Sequence, residues 1–271
     1  MPETPHDAMR DANERAWDYV ASKYEPDVQR DVDRLRSGTT TLLPVELEML
    51  APLLPACSRA IHLQCSHGND ALSLWRLGVA EVIGIDISAR MLAIARRKTE
   101  LLGANAAWYH GDVLSPPESL SATADLVYTG KGALPWVLEL AAWARVVARL
   151  LAAGGHFYIL EGHPLNWVWD PNATTVQLRP DADYFARAAR VNDDFPGRYL
   201  ERAAREPLGP LPAFERQWNL GEVVSALVDA GLLVVRLVEH AEHFWPQFPS
   251  VSADDLRRLP HTFSLLMRKP A

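Results

Sequence analysis

From residue 57 onward, short apolar runs alternate with segments whose apolar residues recur at helical spacing, a pattern of buried strands under amphipathic helices. Residues 60–65, AIHLQC, predict a first buried strand, and GNDALSLWRLG a helix that closes at Gly78. Residues 81–87, EVIGIDI, predict a second strand. Ser88 then caps a helix whose Met91, Leu92, Ala95, Leu101 and Leu102 recur near helical spacing up to Gly103. Residues 106–110, AAWYH, and 124–128, ADLVY, predict the third and fourth strands. A long helix is expected from Pro135, with Trp136, Leu140, Trp143, Val147 and Leu150 on its apolar face, up to Gly154 and Gly155. Residues 156–161, HFYILE, predict the fifth strand.

After that strand the rhythm breaks. Residues 164–215 are rich in proline, with one helical patch in DADYFARAARV, and read as a lid or substrate-binding insertion. The alternation resumes where Asn219 and Glu222 form a capping-box pattern ahead of EVVSALVDA, followed by strands over 232–239, LLVVRLVE, and 262–268, TFSLLMR. Upstream, residues 1–56 read as a helical cap of two or three amphipathic helices. Regular alternation with right-handed crossovers leaves a doubly wound α/β fold with a mostly parallel sheet over 57–271.

Composition narrows the classes. The 27 Lys+Arg against 34 Asp+Glu give a formal charge of -7, which disfavours nucleic acid as a partner. Two cysteines, Cys57 and Cys65, predict a reduced, cytoplasmic protein. No run reaches the ~18 apolar residues of a membrane span, so no membrane partner is expected. Nine Trp call for an explanation, either bulky core or an aromatic pocket.

In an open parallel sheet, ligands bind outside the carboxyl ends of the strands. The turn Gln64, Cys65, Ser66, His67, Gly68 follows the first strand, Asp86 ends the second and Asp112 follows the third. Asp86 there would accept from both hydroxyls of a ribose, and Asp112 from an exocyclic adenine amine. Gly68 permits close approach of the backbone. Plainer readings stand beside these. Asp86 is also a helix-start residue, Asp112 a turn former, His62 a satisfied core histidine and Cys65 a small buried hydrophobe. Glu161, His163, Glu239, His240 and His243 fit no ordinary zinc spacing, so no metal is expected.

These residues resemble the class I S-adenosylmethionine-dependent methyltransferases over roughly residues 56–161 plus the last helix and two strands, in a bacterial branch whose first motif is His-Leu-Gln-Cys. The resemblance implies a seven-stranded sheet with an antiparallel final strand. It implies S-adenosylmethionine held by Gln64, Cys65, Ser66, Gly68, Asp86, Ile87, Met91, Gly111, Asp112 and Val113, with Tyr128 and Thr129 below the methyl donor. Where the wider family has an acid and three glycines, this chain has His62, Gln64, Ser66 and Gly68. The usual carboxylate for the methionine amino group is thus missing, and the carbonyls of Gln64 and Cys65 are candidates to replace it. Trp17, Tyr19 and Tyr24 are candidates for a flap over the cofactor, or for helix-to-sheet packing.

Methyl transfer from a sulfonium asks mainly for alignment and exclusion of water. If a base is used, the candidates are Glu161, Tyr128, Lys131 and, best suited by its reference acidity, His163, although its EGHP segment is equally a strand end; Lys131, Trp167 and Trp169 are candidates for contact with the acceptor. The insertion carries Trp167, Trp169, Tyr184, Phe185, Phe195, Tyr199 and Phe214, which favours a small aromatic or apolar acceptor. SHGND lacks the glycines of a nicotinamide-binding turn. YTGKGALPW lacks the motif that grips a flipped base. A non-catalytic binding module on the same fold remains the alternative.

Overall fold

A computed structural model describes residues 5–192, 195 and 211–271. The strands are β1 (Arg59–Leu63), β2 (Glu81–Asp86), β3 (Ala106–His110), β4 (Ala124–Gly130), β5 (Leu151–Gly162), β6 (Arg190–Val191), β7 (Phe214–Glu215), β8 (Leu233–His240) and β9 (Thr262–Arg268). All but β6 and β7, which pair with each other, form one seven-stranded sheet in the order β3-β2-β1-β4-β5-β9-β8. β1 to β5 pair in parallel, and β9 lies antiparallel between β5 and β8.

Both faces of the central strands are covered, which is why these are continuous apolar runs rather than alternating ones, whereas the edge strand β8 is largely exposed. Ile61, Leu63, Val127, Phe157 and Ile159 face α6 (Leu140–Leu150) and α7 (Leu220–Asp229). Ala60, Leu126, Tyr128, Tyr158 and Leu160 face α3 (Pro44–Leu50) and α4 (Asn69–Arg76). α1 (Pro5–Ala21) and α2 (Val28–Arg36) pack on α5 (Ala89–Leu102) through Val20, Val28, Met91 and Ile94.

The caps are built as their residues require. Ser88 Oγ accepts from Met91 N at 3.1 Å, and Asn219 Oδ1 accepts from Glu222 N at 2.9 Å while Glu222 Oε2 accepts from Asn219 N at 3.2 Å. Trp108 explains two glycines: a Cβ at Gly84 would meet its ring at 2.3 Å, and one at Gly68 at 2.6 Å. This large side chain lies in the slot those glycines leave, its Nε1 donating to Thr99 Oγ1 at 2.9 Å.

Three sequence expectations need correction. The helix does not start at Pro135: Leu134–Trp136 is a single 3-10 turn, Val137 is extended, and α6 begins at Leu140. The Pro135 and Val137 carbonyls accept instead from Arg216 N and Trp218 Nε1, both at 2.7 Å. That helix also ends at Leu150, and the chain passes directly into β5, whose pairing with β4 shifts between Ala124 and Leu126. The patch DADYFARAARV forms no helix; Asp183 accepts from Phe185 N at 2.8 Å in a local turn, and Arg190–Val191 is β6. Tyr199 and the rest of 196–210, with 193–194, lie outside the described residues.

Candidate functional site

A cavity of about 380 Å³ opens at the carboxyl ends of β1, β2 and β4, bordered by the turn after β3 and by α1. Gln64, Ser66 and Gly68 take positive φ (54°, 49° and 84°), so the chain folds back on itself between β1 and α4, with Cys65 N donating to the Ile85 carbonyl and Gly68 N to the Cys65 carbonyl. Ser66 N donates to Asp86 Oδ2 at 2.7 Å and Ser88 N to Oδ1 at 2.9 Å, which fixes this carboxylate at the end of β2. Burial pushes Asp86 up to about 6, against the pull of those two N–H groups.

Asp112 Oδ1 accepts from Leu114 N at 2.8 Å, and its Oδ2 pairs with Arg10 Nε at 2.9 Å. Arg10 belongs to α1 and also reaches Glu139 at 2.9 Å. Asn13 exchanges hydrogen bonds with the Phe214 backbone, and Asp18 accepts from Ser88 Oγ at 2.6 Å and from Arg90 N at 3.1 Å. The first helix is therefore fastened across the mouth of the site at several points. Trp17 on that helix meets Trp136 edge-on at 5.2 Å, and Phe195 closes on both at 5.3 Å. Tyr24 stacks on His67 at 4.4 Å. Burial, then the adjacent Lys98, hold His67 neutral at about 3. Lys98 is itself fully buried, donating to Asp31 and Asn69 at 2.7 Å and lying 2.8 Å from His67 Nδ1, so it ties α2, α4 and α5 together beneath the site.

At the opposite end, Lys131 sits at φ 55° between Gly130 and Gly132. A Cβ at Gly130 would stand 2.1 Å from the Leu160 carbonyl oxygen, so only glycine fits there. Glu161 holds this loop by accepting from Gly132 N at 2.7 Å and Leu134 N at 2.9 Å. The lysine donates to Glu46 at 2.9 Å and to Asp70 and the Thr41 carbonyl at 3.0 Å. Tyr128 donates to Glu46 at 2.6 Å and presents its ring to the edge of His62 at 4.7 Å. Burial raises Glu46; at Asp70 burial pushes the same way, but Lys131, His62 and the Thr41 hydroxyl together outweigh it and lower the carboxyl.

Of the residues singled out from the sequence, Trp17, Tyr24, Gln64, Cys65, Ser66, Asp86, Ile87, Asp112, Val113 and Lys131 line the cavity. Gly68, Met91, Gly111, Tyr128 and Thr129 lie behind that wall. Gly68 is pressed against Trp108, Met91 accepts from Ser66 Oγ at 3.7 Å, Gly111 N donates to the Asp86 carbonyl, and Thr129 Oγ1 donates to the Leu63 carbonyl at 3.0 Å. The remaining three are elsewhere. His163 Nε2 pairs with Glu239 at 2.8 Å and its Nδ1 accepts from Leu165 N at 3.2 Å. Trp169 packs on Phe248 and His261, and Trp167 closes the turn after His163. No set of His, Cys, Asp and Glu that could hold a metal occurs among the described residues, nor does any helix there have the length and apolarity to cross a membrane.

The wall also contains Arg10, Thr41, Asp70 and Trp245, which sequence reasoning left out, and His62 and Trp136, which it read as core residues. His62 and Asp70 flank the first turn and were within its reach. Thr41 and Trp245 come from distant segments and carry no local signal.

Residues 60–155 match the family model of a methyltransferase domain. No curated protein matches the chain. Among solved structures, an S-adenosylmethionine-dependent methyltransferase from Mesorhizobium loti is 21% identical, with 81% of this chain and 97% of that one covered at a TM-score of 0.57. One from Clostridium acetobutylicum is 13% identical, with 83% and 89% covered at 0.57. The geranyl diphosphate C-methyltransferase of Streptomyces coelicolor is 13% identical, with 83% and 75% covered at 0.52. Over residues 60–155 the chain thus matches the methyltransferase-domain family, and it carries that match on the Rossmann-like fold these enzymes share.

Proposed function

We propose that the protein is an S-adenosylmethionine-dependent methyltransferase that delivers its methyl group to a small apolar or aromatic acceptor. The observation that carries this reading is Asp86. Its buried carboxylate is held by Ser66 N and Ser88 N at the strand end where a nucleoside ribose binds in such folds. The cavity suits a ligand of that size. Asp86 would accept from the ribose hydroxyls, Ile87 and Val113 would pack on the adenine, and Asp112, shared with Arg10, would accept from its amine. Gln64, Cys65 and Ser66 would line the sulfur side. Trp17 and Tyr24, held over the mouth with α1, would close the site.

Bound S-adenosylmethionine supplies a methyl group already activated on a sulfonium. What the chain must add is alignment and dryness. Trp17, Trp136 and Trp245 provide an apolar wall for both. In this reading His163 takes no proton, because it faces Glu239 rather than the cavity. The acidic surface balance and the narrow aromatic wall favour a small molecule over nucleic acid. A structural neighbour, a geranyl diphosphate C-methyltransferase, acts on a small molecule, which supports a small acceptor by analogy.

Titration calorimetry with S-adenosylmethionine and with NAD tests the proposal. Binding of the first alone is expected, and a preference for NAD would overturn it. Incubation with labelled S-adenosylmethionine and a panel of apolar and aromatic small molecules should then transfer label to one chemical class.

A further inference from the structure

Two polar atoms at the floor of the cavity have capacity to spare. His62 is 4% exposed and lines the cavity, and its Nδ1 has no hydrogen-bond partner among the described residues. Asp70 Oδ1 is taken by Lys131 and Thr41, but the contact of Oδ2 with the Tyr128 hydroxyl is 3.5 Å, at the limit of a hydrogen bond. Tyr128 touches both residues, Asp70 through its hydroxyl and His62 through its ring, which brings the spare acceptors to one end of the cavity.

The charges around them do not balance. Glu46 and Asp70 face one lysine, and burial holds His62 neutral at about 4. A small cation with several N–H donors is the natural complement. We infer that Asp70 and His62 form the seat for a primary ammonium group, the amino end of the amino-acid tail of S-adenosylmethionine. The inference rests on the methyltransferase reading. It also accounts for the histidine where related chains carry an acid: a carboxylate at position 62 would put a third buried negative group beside Glu46 and Asp70, with only Lys131 to oppose them. In this chain the negative charge stands on the first turn of α4 and not at the end of β1. Of the two carbonyls that the sequence offered for this role, that of Cys65 already takes the Gly68 N–H at 3.0 Å.

The test compares ligands within one variant. S-adenosylhomocysteine, its decarboxylated analogue and 5′-methylthioadenosine share the nucleoside thioether, but the last lacks the amino group. Calorimetry on the full chain should show D70N losing about 10–100-fold for the two amines, as expected for one charged hydrogen bond, while methylthioadenosine changes by less than about 3-fold. H62L should show the same selectivity with a smaller loss, about 3–10-fold. The proposal is overturned if D70N binds the amines as tightly as the natural chain does. It is also overturned if all three ligands weaken in equal proportion, or if the decarboxylated analogue binds the natural chain no better than methylthioadenosine. If D70N does not fold, H62L with the same ligands decides. A natural chain that binds none of the three overturns the methyltransferase reading as well.

Discussion

If Asp86 holds the ribose as proposed, its carboxylate makes nucleoside affinity a function of pH. Ribose hydroxyls donate to the ionised form, so binding stabilises that form and the protonated site must first lose its proton. With its acidity set at about 6 by burial, Asp86 is about 90% ionised at pH 7 and about 10% at pH 5. Affinity is therefore full above pH 7, halved near pH 6 and about tenfold weaker at pH 5, and binding at pH 6 should release about half a proton. The charged and titratable neighbours facing it are Asp18 on α1 and His110 on β3. D86N removes the titration and weakens binding at pH 7.5 by about 10–100-fold, a charged hydrogen bond lost. Calorimetry with S-adenosylhomocysteine from pH 5 to 7.5, in buffers of different ionisation enthalpy, reads both affinity and proton release. An affinity that is flat over this range, or a pH profile that survives in D86N, would refute the reasoning.

Three further outcomes follow from the structure. Gly84→Ala should drive a methyl into the Trp108 ring and lower stability by about 1–3 kcal/mol in denaturant unfolding, with partial recovery in the G84A/W108L double variant. Lys98→Met should cost ~3–5 kcal/mol by stranding buried Asp31, whereas K98M/D31L should recover most of that, again read by unfolding. Deleting residues 1–25, which removes Trp17, Tyr24 and the Arg10 contact with Asp112, should weaken S-adenosylhomocysteine at least about tenfold by calorimetry, and unchanged affinity discards the flap.

Much of the fold was legible because local and tertiary signals agree. Strands buried on both faces need apolar runs whatever their neighbours, and Ser88, Gly103 and Asn219 terminate helices through their own side chains or backbone freedom. Asp86 was legible for the same reason: a strand end followed by a capped helix defines its place without knowledge of any partner. Trp136 was not, because the segment around it looks helical until Arg216 and Trp218 claim its carbonyls from far along the chain. The tryptophans show the same divide. Their number announced bulk, but only packing separates Trp108, slotted between glycines, and Trp169, held against Phe248, from Trp17, Trp136 and Trp245 on the cavity wall.

The order of the elements, the extents of β3 and β9 and the place of Asp86 at the end of β2 were determined by the sequence alone, since each depends on residues close together along the chain. The floor was decided only by the tertiary structure. Glu46, His62, Asp70 and Lys131 come from α3, β1, α4 and the loop after β4, and none of them carries its meaning until the others are brought within hydrogen-bonding reach, because burial and neighbouring charge set what each group can hold.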